Sequence, residues 1–314
     1  MQMFAARTIA GLATGNIGVI QSIIADRTSP QDRARTMGFL GAAIGAGFVT
    51  GPALGGLLSG IGSGPVHQTP FLIAAAFSAL SFILAIRLKE TSTLSRSVVT
   101  QGVFSEYVKT VLSGQIGWFA ASFFCLNLAF AQVEVSYVLL VRDLLGFGAR
   151  QTGWLFIYIG VLIIIVQGGL ISRAVLRFGE MKTIIAGVAL LASGQLLTVA
   201  LAFGDALGLV IMVGPILLST TLVCVGFAFT NPTLTASASK AAPARNMGGS
   251  LGFIQGCGSI GQVLGLVSAG PFNAFGGSVA SFGFGTAVTC CLLVFILMML
   301  SRQHRQQKMA DGVC

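Results

Sequence analysis

Long apolar stretches recur along this chain and restrict it to one kind of environment. A helix needs about 20 mostly apolar residues to cross the roughly 30 Å hydrocarbon core of a bilayer. Nine stretches meet this requirement, at about 4–25, 37–62, 70–88, 115–141, 152–172, 182–203, 208–231, 248–270 and 279–300. None has the alternating apolar and polar pattern of a membrane β-strand. The sequence therefore predicts an all-α, polytopic membrane helix bundle with about nine transmembrane helices.

The scarcity of charged residues supports the same conclusion. Only 9% of the 314 residues are charged, whereas a soluble domain carries about 25%. The net charge of +9 does not indicate nucleic-acid binding, because the basic residues form no run or patch. The cysteine spacing indicates neither a metal site nor a disulfide framework, and the sequence contains no phosphate-binding loop or catalytic constellation. We therefore expect neither an enzyme nor a bound cofactor.

Lysine and arginine are distributed unequally between the two sides of the predicted bundle. The positive-inside rule places the more basic side in the cytoplasm. Most of the 18 basic residues lie on one side, and only Arg142 and Arg150 lie in a loop on the other. This distribution predicts a cytoplasmic linker at residues 89–114 and a cytoplasmic tail at residues 301–314. It also places Met1 outside, and it does not indicate which cellular membrane is occupied.

An internal repeat relates the second predicted helix to the eighth. Laying one on the other aligns Arg35 with Arg245, Gly51 with Gly261 and Gly55 with Gly265, among other identities. The repeat unit is then six helices, so residues 1–88 form the last three helices of a first bundle and residues 115–300 a complete second bundle. A parallel pair of six-helix halves is a known transporter architecture.

The segment GFVTGPALGG, residues 47–56, combines four glycines with a proline inside a predicted helix. Gly47, Gly51 and Gly55 recur every four residues and therefore share one helix face. Small residues on one face allow the close backbone contact that holds helices together in lipid, while Pro52 kinks the helix and Gly56 completes the string. We expect a groove for a neighbouring helix where the two bundles meet; an ordinary small-residue packing face is the alternative.

The same string resembles the fifth-helix signature of the major facilitator superfamily, where it is associated with antiporters. RTIAGLATG, residues 7–15, resembles the RxxxGxxxG motif of the fourth helix in that family, and DRTSPQDRAR, residues 26–35, resembles the loop that joins those two helices. Residues 169–182 resemble a degenerate form of the loop motif between the second and third helices of a half. The resemblance covers nearly the whole chain and is greatest to the tetracycline-exporter-like branch. The first three helices of the family have no counterpart here.

Glu134 is a candidate for proton coupling because it is the only carboxylate well inside a predicted span. Asn127 and Tyr137 lie on or near its face at helical spacing. A carboxylate removed from water is disfavoured in its charged form, so it can carry a proton near neutral pH. Two alternatives stay open: Glu134 bonds a neighbouring helix structurally, or it reaches the outer interface near Arg142 and Asp143.

Arg7 is a second charged residue within a predicted span. The resemblance implies a role for Arg7 in proton coupling, and the alternative is that its side chain extends to the outer interface. Polar residues in or beside spans are candidates for a substrate cavity: Asn127, Tyr137, Tyr158, Gln167 and Asn231. Asn231 is included because Asn231 and Pro232 are expected to end the seventh predicted helix.

Charged residues near the predicted cytoplasmic ends are candidates for a gate. Ion pairs among them would form in one conformation and break in the other, although they could serve only to set topology: Asp26, Arg33, Arg35, Arg173 and Arg177.

Together these features predict a secondary transporter that exports a small amphipathic solute in exchange for protons by alternating access. A sugar or metabolite facilitator or symporter of the same superfamily is one alternative. A truncated membrane protein that does not transport, or a subunit that takes three helices from elsewhere, is another. The expected partners are the lipid bilayer, the solute and protons. The sequence indicates neither the identity of the solute nor an oligomeric state.

Overall fold

The computed structural model describes residues 69–87, 114–203, 209–242 and 247–310, together with isolated positions between 19 and 54, and these residues are helical apart from short turns. We number the helices α1 (Thr69–Ile86), α2 (Gln115–Leu145), α3 (Ala149–Ile165), α4 (Ile171–Phe178), α5 (Glu180–Ala202), α6 (Leu209–Ala241) and α7 (Met247–Ala310). A π-helical turn, Val166–Leu170, joins α3 to α4, so that these two form one span. Within the described residues, six segments are long and apolar enough to cross a membrane.

The last helix consists of two spans. Its 64 residues would extend about 96 Å at 1.5 Å per residue, roughly three times the thickness of a hydrocarbon core. The helix is broken at Gly276 and Gly277, whose backbones are non-helical, with φ of −143° and 62°. Positive φ is readily adopted by glycine, which has no β-carbon to clash. We call the two parts α7a (247–275) and α7b (278–310).

Seven of the nine predicted spans coincide with described helices, since the third to the ninth prediction fall on α1, α2, α3–α4, α5, α6, α7a and α7b. The predicted spans at 4–25 and 37–62 lie mostly outside the described residues, as does the predicted linker at 89–114. The division into two bundles therefore stays a prediction.

The prediction that Asn231 and Pro232 end a helix was wrong. Helix α6 continues to Ala241 and contains both Pro215 and Pro232. Proline is tolerated in membrane helices where Ser and Thr side chains and neighbouring helices satisfy the freed backbone groups. The hydroxyls of Thr233 and Thr235 donate to the carbonyl oxygens of Phe229 and Asn231, at 2.7 and 3.0 Å. Both accepting carbonyls lie in the turn before Pro232, whereas the carbonyl that Pro232 deprives of an N–H partner is that of Ala228.

Helix α2 lies at the centre of the described bundle. It packs against α6 and both parts of α7, while α5 packs against α6 and α7. The core between these helices is made of large side chains that are almost fully buried, among them Phe123, Leu126, Ile216 and Phe282. Several polar residues of α2, among them Gln132, Ser136 and Tyr137, are buried against these helices.

Glycines bring the backbones of α2 and α7a into direct contact. A β-carbon at Gly261 would overlap the carbonyl oxygen of Phe124, and one at Gly265 would lie 2.7 Å from the carbonyl oxygen of Leu128. Close approach through small residues is how helices associate in lipid. These two glycines align with Gly51 and Gly55 in the internal repeat, and on α7a they form a packing face.

The packing role of residues 47–56 stays a prediction. A β-carbon at Gly47 or Gly51 meets no atom within 4 Å among the described residues. Pro52, Gly55 and Gly56 lie outside those residues.

Candidate functional site

One face of α2 carries three of the polar residues that the sequence pointed to, Asn127, Glu134 and Tyr137. Asn127, Phe130, Glu134 and Tyr137 fall within an arc of about 80°, because 3.6 residues make one helical turn. This face is directed towards α6 and α7a. Asn127 lies close to the backbone of α7a, since a β-carbon at Gly258 would be 3.0 Å from its amide nitrogen. The predicted clustering of Asn127, Glu134 and Tyr137 on one face therefore exists in the fold.

Glu134 is half-buried and pairs with Gln262 on α7a. The Nε2 atom of Gln262 donates a hydrogen bond of 3.3 Å to Oε2 of Glu134. Arg142 lies eight residues further along α2, about 12 Å away along the helix axis, so Glu134 does not reach the end of the helix. The contact is the bond between helices that was one of the alternatives above, and the proton-coupling role of Glu134 stays a prediction.

Two tyrosines meet α6 at consecutive threonines. The hydroxyl of Tyr137 lies 2.8 Å from Oγ1 of Thr220, and the hydroxyl of Tyr158 on α3 lies 2.7 Å from Oγ1 of Thr221. Each threonine hydroxyl donates to a carbonyl oxygen one turn earlier, at 2.7 Å. A hydroxyl has a single proton, so both tyrosines act as donors, and their oxygens keep free acceptor lone pairs. Two of the predicted cavity residues thus converge on one point of α6.

An aromatic pair borders the same face. The rings of Phe130 on α2 and Phe227 on α6 stack with centroids 3.8 Å apart and an interplanar angle of 16°. Phe130 lies one turn from Glu134. Ligand pockets typically combine apolar and aromatic walls with a few polar groups that fix orientation. The stacked rings, the two tyrosines and Glu134 form such a combination, which we call the α2 site.

The two remaining cavity candidates lie apart from the α2 site. Gln167 belongs to the π-helical turn, a feature that is frequent at functional sites, and within the described chain its buried Oε1 has no hydrogen-bond partner. Asn231 is half-buried inside α6. The structure shows no hydrogen bond from either residue to Glu134, Tyr137 or Tyr158, and their role in a cavity stays a prediction.

A second polar group, which sequence analysis missed, occupies the opposite face of α2. Gln132 is completely buried. Its Nε2 donates to the carbonyl oxygen of Gly265 and to Oγ of Ser268, both at 2.8 Å, and its Oε1 accepts a bond of 2.7 Å from Ser281. Every polar atom of this amide side chain is therefore paired, and the bonds tie α2 to both α7a and α7b.

Further buried bonds extend this group. Ser136 donates to Ser281 at 2.6 Å and accepts from Nδ2 of Asn273 at 2.9 Å. Gln195 on α5 donates to the carbonyl oxygen of Ala129 at 3.3 Å and accepts from Thr289 at 2.7 Å. Single polar side chains in apolar helices are costly unless paired. That cost is the signal by which the glutamines could have been found in the sequence.

The structure describes two of the predicted gate residues. Arg173 and Arg177 are exposed on α4, and the guanidinium of Arg177 lies 5.5 Å from the ring centroid of Phe178. Asp26, Arg33 and Arg35 lie outside the described residues, as does Arg7, so the gate and the role of Arg7 stay predictions.

An ion pair that sequence analysis did not predict joins the ends of α5 and α6. Nζ of Lys240 lies 2.7 Å from Oε1 of Glu180, whose second oxygen accepts a bond of 3.0 Å from Ser237. The pair joins two helices that also pack through Gly187 and Gly226. It therefore ties neighbouring helices of one bundle together.

This bundle of long apolar helices, with polar groups paired between them, defines an integral, multi-pass membrane protein. Residues 2–266 match the model of the Major Facilitator Superfamily, and the chain belongs to this family. The family consists of transporters and not of enzymes. The fold class and the family predicted from the sequence are thereby confirmed.

Several curated proteins are similar to this chain. The class C tetracycline resistance protein of Escherichia coli is 31% identical over 199 residues, which cover 62% of this chain and 49% of that protein. The class G protein of Vibrio anguillarum is 30% identical over 191 residues, covering 60% and 48%. Multidrug resistance protein 1 of Bacillus subtilis is 30% identical over 276 residues, covering 85% and 66%. The chain spans about half the length of the first two relatives.

A solved structure shares the fold. The human organic anion transporter MFSD10 superposes with a TM-score of 0.71 over 93% of this chain and 70% of that one, at 21% sequence identity. At this identity the likeness concerns the fold.

Proposed function

We propose that this protein exports a small amphipathic solute across a membrane in exchange for protons. The observation that carries the proposal is the position of Glu134. Of the nine Asp and Glu residues in the sequence, it is the one in the apolar middle of a described span. An ionisable residue inside a membrane span is costly and is by default a sign of function. Glu134 also lies beside aromatic and phenolic groups suited to an amphipathic partner.

The chemistry of a single carboxylate supplies the coupling. In an apolar setting, a negative charge is costly unless it is neutralised by a proton or paired with a positive or hydrogen-bond-donating group. Proton and solute would therefore compete for Glu134, so that uptake of one favours release of the other. Alternating exposure of the α2 site to the two sides of the membrane turns this competition into exchange. Arg7, in the segment resembling the fourth-helix motif, is the proposed second participant.

The α2 site also supports the proposed class of solute. The stacked rings of Phe130 and Phe227 provide an apolar wall, and the oxygens of Tyr137 and Tyr158 offer acceptors to donors on the solute. The names of several relatives mention tetracycline resistance, multidrug resistance or, for a protein of Staphylococcus aureus, quinolone resistance. Tetracycline and a quinolone such as norfloxacin are therefore suitable probes. We further propose that the linker at 89–114 and the C-terminal tail face the cytoplasm.

Transport into liposomes tests the proposal directly. The purified chain is reconstituted into vesicles with an acidic lumen, and accumulation of tetracycline and of norfloxacin is measured with and without a protonophore. We expect accumulation that the protonophore abolishes. Glu134→Gln keeps the shape of the side chain but has no group that binds and releases a proton. We expect vesicles with this variant to accumulate no more of either probe than empty vesicles do.

Asp143→Asn provides a matched control, because it removes an exposed carboxylate from the same helix. It is expected to transport like the wild type. The proposal is wrong if the wild type accumulates neither probe, or if Glu134→Gln accumulates both as well as the wild type does. Equilibration of a probe without any effect of the pH gradient would instead support the facilitator alternative.

A further inference from the structure

We infer that Gln262 is a positioning residue for Glu134, and that the two side chains act as one unit shared by α2 and α7a. The inference rests on the proposed proton exchange and names a participant that the sequence did not indicate. Its starting point is the bond of 3.3 Å from Nε2 of Gln262 to Oε2 of Glu134. The residues are 128 positions apart in the chain and meet only through the packing of the two helices.

The backbone holds this pair at a fixed separation. Gly258 precedes Gln262 by one turn, Gly261 is adjacent to it, and Gly265 follows by nearly one turn. All three glycines lie directly against atoms of α2. Helices in such close contact cannot slide past each other without overlap of their backbones. Gln262 therefore stays within reach of Glu134 whether the carboxyl is charged or protonated.

A glutamine amide suits both forms of a carboxyl group. Its Nε2 atom carries two donors and its Oε1 atom accepts. The carboxylate accepts a bond from Nε2, as in the structure. The protonated acid carries an O–H donor, and Oε1 of Gln262 accepts its hydrogen bond after the amide group rotates by about 180°. An apolar side chain of the same length satisfies neither form, and Oε2 of Glu134 then loses this partner.

Other titratable groups are few on the elements packed against Glu134. Helix α7, from Met247 to Ser301, contains no Asp, Glu, Lys, Arg or His. The groups that do occur on α2, α6 and this part of α7 are Cys125, Tyr137, Arg142, Asp143, Cys224, Lys240, Cys257, Cys290 and Cys291. Lys240 is paired with Glu180 at the far end of α6, and the hydroxyl of Tyr137 is bonded to Thr220. Among the described residues, the amide of Gln262 is thus the polar group that contacts the Glu134 carboxyl directly.

Exchanging the two side chains tests the unit. The double variant Glu134→Gln with Gln262→Glu moves the carboxyl to α7a and the amide to α2, while the pair remains. In the vesicle assay with an acidic lumen, using tetracycline and norfloxacin, Glu134→Gln is expected to be inactive. We expect the double variant to accumulate both probes clearly above that level, and its accumulation to remain sensitive to the protonophore. A purely structural glutamine would not produce this rescue.

Gln262→Met tests the inference without moving the charge. Methionine has a similar length and fits an apolar bundle, so the variant is expected to resist heating like the wild type in detergent while losing most gradient-driven accumulation. Gln255→Met makes the same change two turns earlier on α7a and is expected to change neither property.

The possible failures are distinct. If the wild type itself shows no gradient-driven accumulation, the proposed function fails. If the wild type accumulates the probes and Gln262→Met accumulates them equally well, the inference about Gln262 alone is wrong. A double variant that is folded, as judged by a monodisperse profile on size exclusion, but no more active than Glu134→Gln also overturns the inference.

Discussion

Replacing Gly261 by leucine is expected to prevent α2 and α7a from assembling, so that little monodisperse protein is recovered. A β-carbon at this position would overlap the carbonyl oxygen of Phe124 and lie 3.0 Å from its carbonyl carbon. Backbone atoms cannot move away by changing rotamer, as the end of a side chain can, so the whole helix must shift. Overpacking a well-packed interior costs about 1–3 kcal/mol and occasionally more. Here the same shift also breaks the bonds that Gln132 makes to α7a.

Size-exclusion profiles of fluorescently tagged variants measure this effect. Gly252→Leu is the matched control, because Gly252 lies on the same helix, is exposed, and has no atom of the described residues within 4 Å of a β-carbon. We expect a monodisperse peak of wild-type height for Gly252→Leu and little or no monodisperse peak for Gly261→Leu. A wild-type profile for Gly261→Leu would show that α2 and α7a are not packed through this glycine.

Gln132→Glu is expected to destabilise the bundle strongly although it hardly changes the shape of the side chain. Nε2 of Gln132 donates two bonds, to the carbonyl oxygen of Gly265 and to Ser268. In the variant, a carboxylate oxygen takes the place of this donor and lies against a carbonyl oxygen at a completely buried position. An unpaired buried polar group costs about 1–3 kcal/mol, and more when it is charged. The temperature at which half of the protein leaves the monodisperse peak is expected to fall sharply.

The same substitution at an exposed site separates burial from charge. Oε1 of Gln151 accepts a bond of 3.2 Å from the backbone N–H of Gly148 at the start of α3. A glutamate there keeps an acceptor and adds a negative charge at a helix N-terminus, where it is favourable. Gln151→Glu should therefore unfold like the wild type. Equal unfolding temperatures for Gln132→Glu and the wild type would mean that the bonds of Gln132 contribute nothing.

Much of the fold could be predicted because a span must meet simple requirements of length and apolar content. One helix end was predicted wrongly. Helix α6 passes through Pro232 and continues to Ala241. That error came from treating proline, a local helix-breaking signal, as decisive inside a packed bundle. Helix α2 continues four residues beyond the predicted span, to Leu145, and its exposed Arg142 and Asp143 lie in this extension.

The candidate site could be predicted in part for a related reason. Helical spacing was enough to place Asn127, Glu134 and Tyr137 on one face of α2. It could not supply Gln262 or Thr220, because their contacts with α2 depend on how helices pack across 128 and 83 residues of chain. The buried glutamines Gln132 and Gln195 were missed because their complete burial depends on how the helices pack, which the sequence of a single helix does not show.

The long distance along the chain from α2 to its bonding partners also has a consequence for how the protein is made. Gln132 finds its bonding partners at Gly265, Ser268 and Ser281, which are 133 to 149 residues further on. At a synthesis rate of about 5–20 residues per second, α2 leaves the ribosome roughly seven to thirty seconds before these partners exist. During that interval Gln132, Glu134 and Ser136 lie in the translocon or the bilayer with none of their final bonds. The translocon or the bilayer, and not the finished bundle, must therefore accommodate these polar side chains until residue 281 has been synthesised.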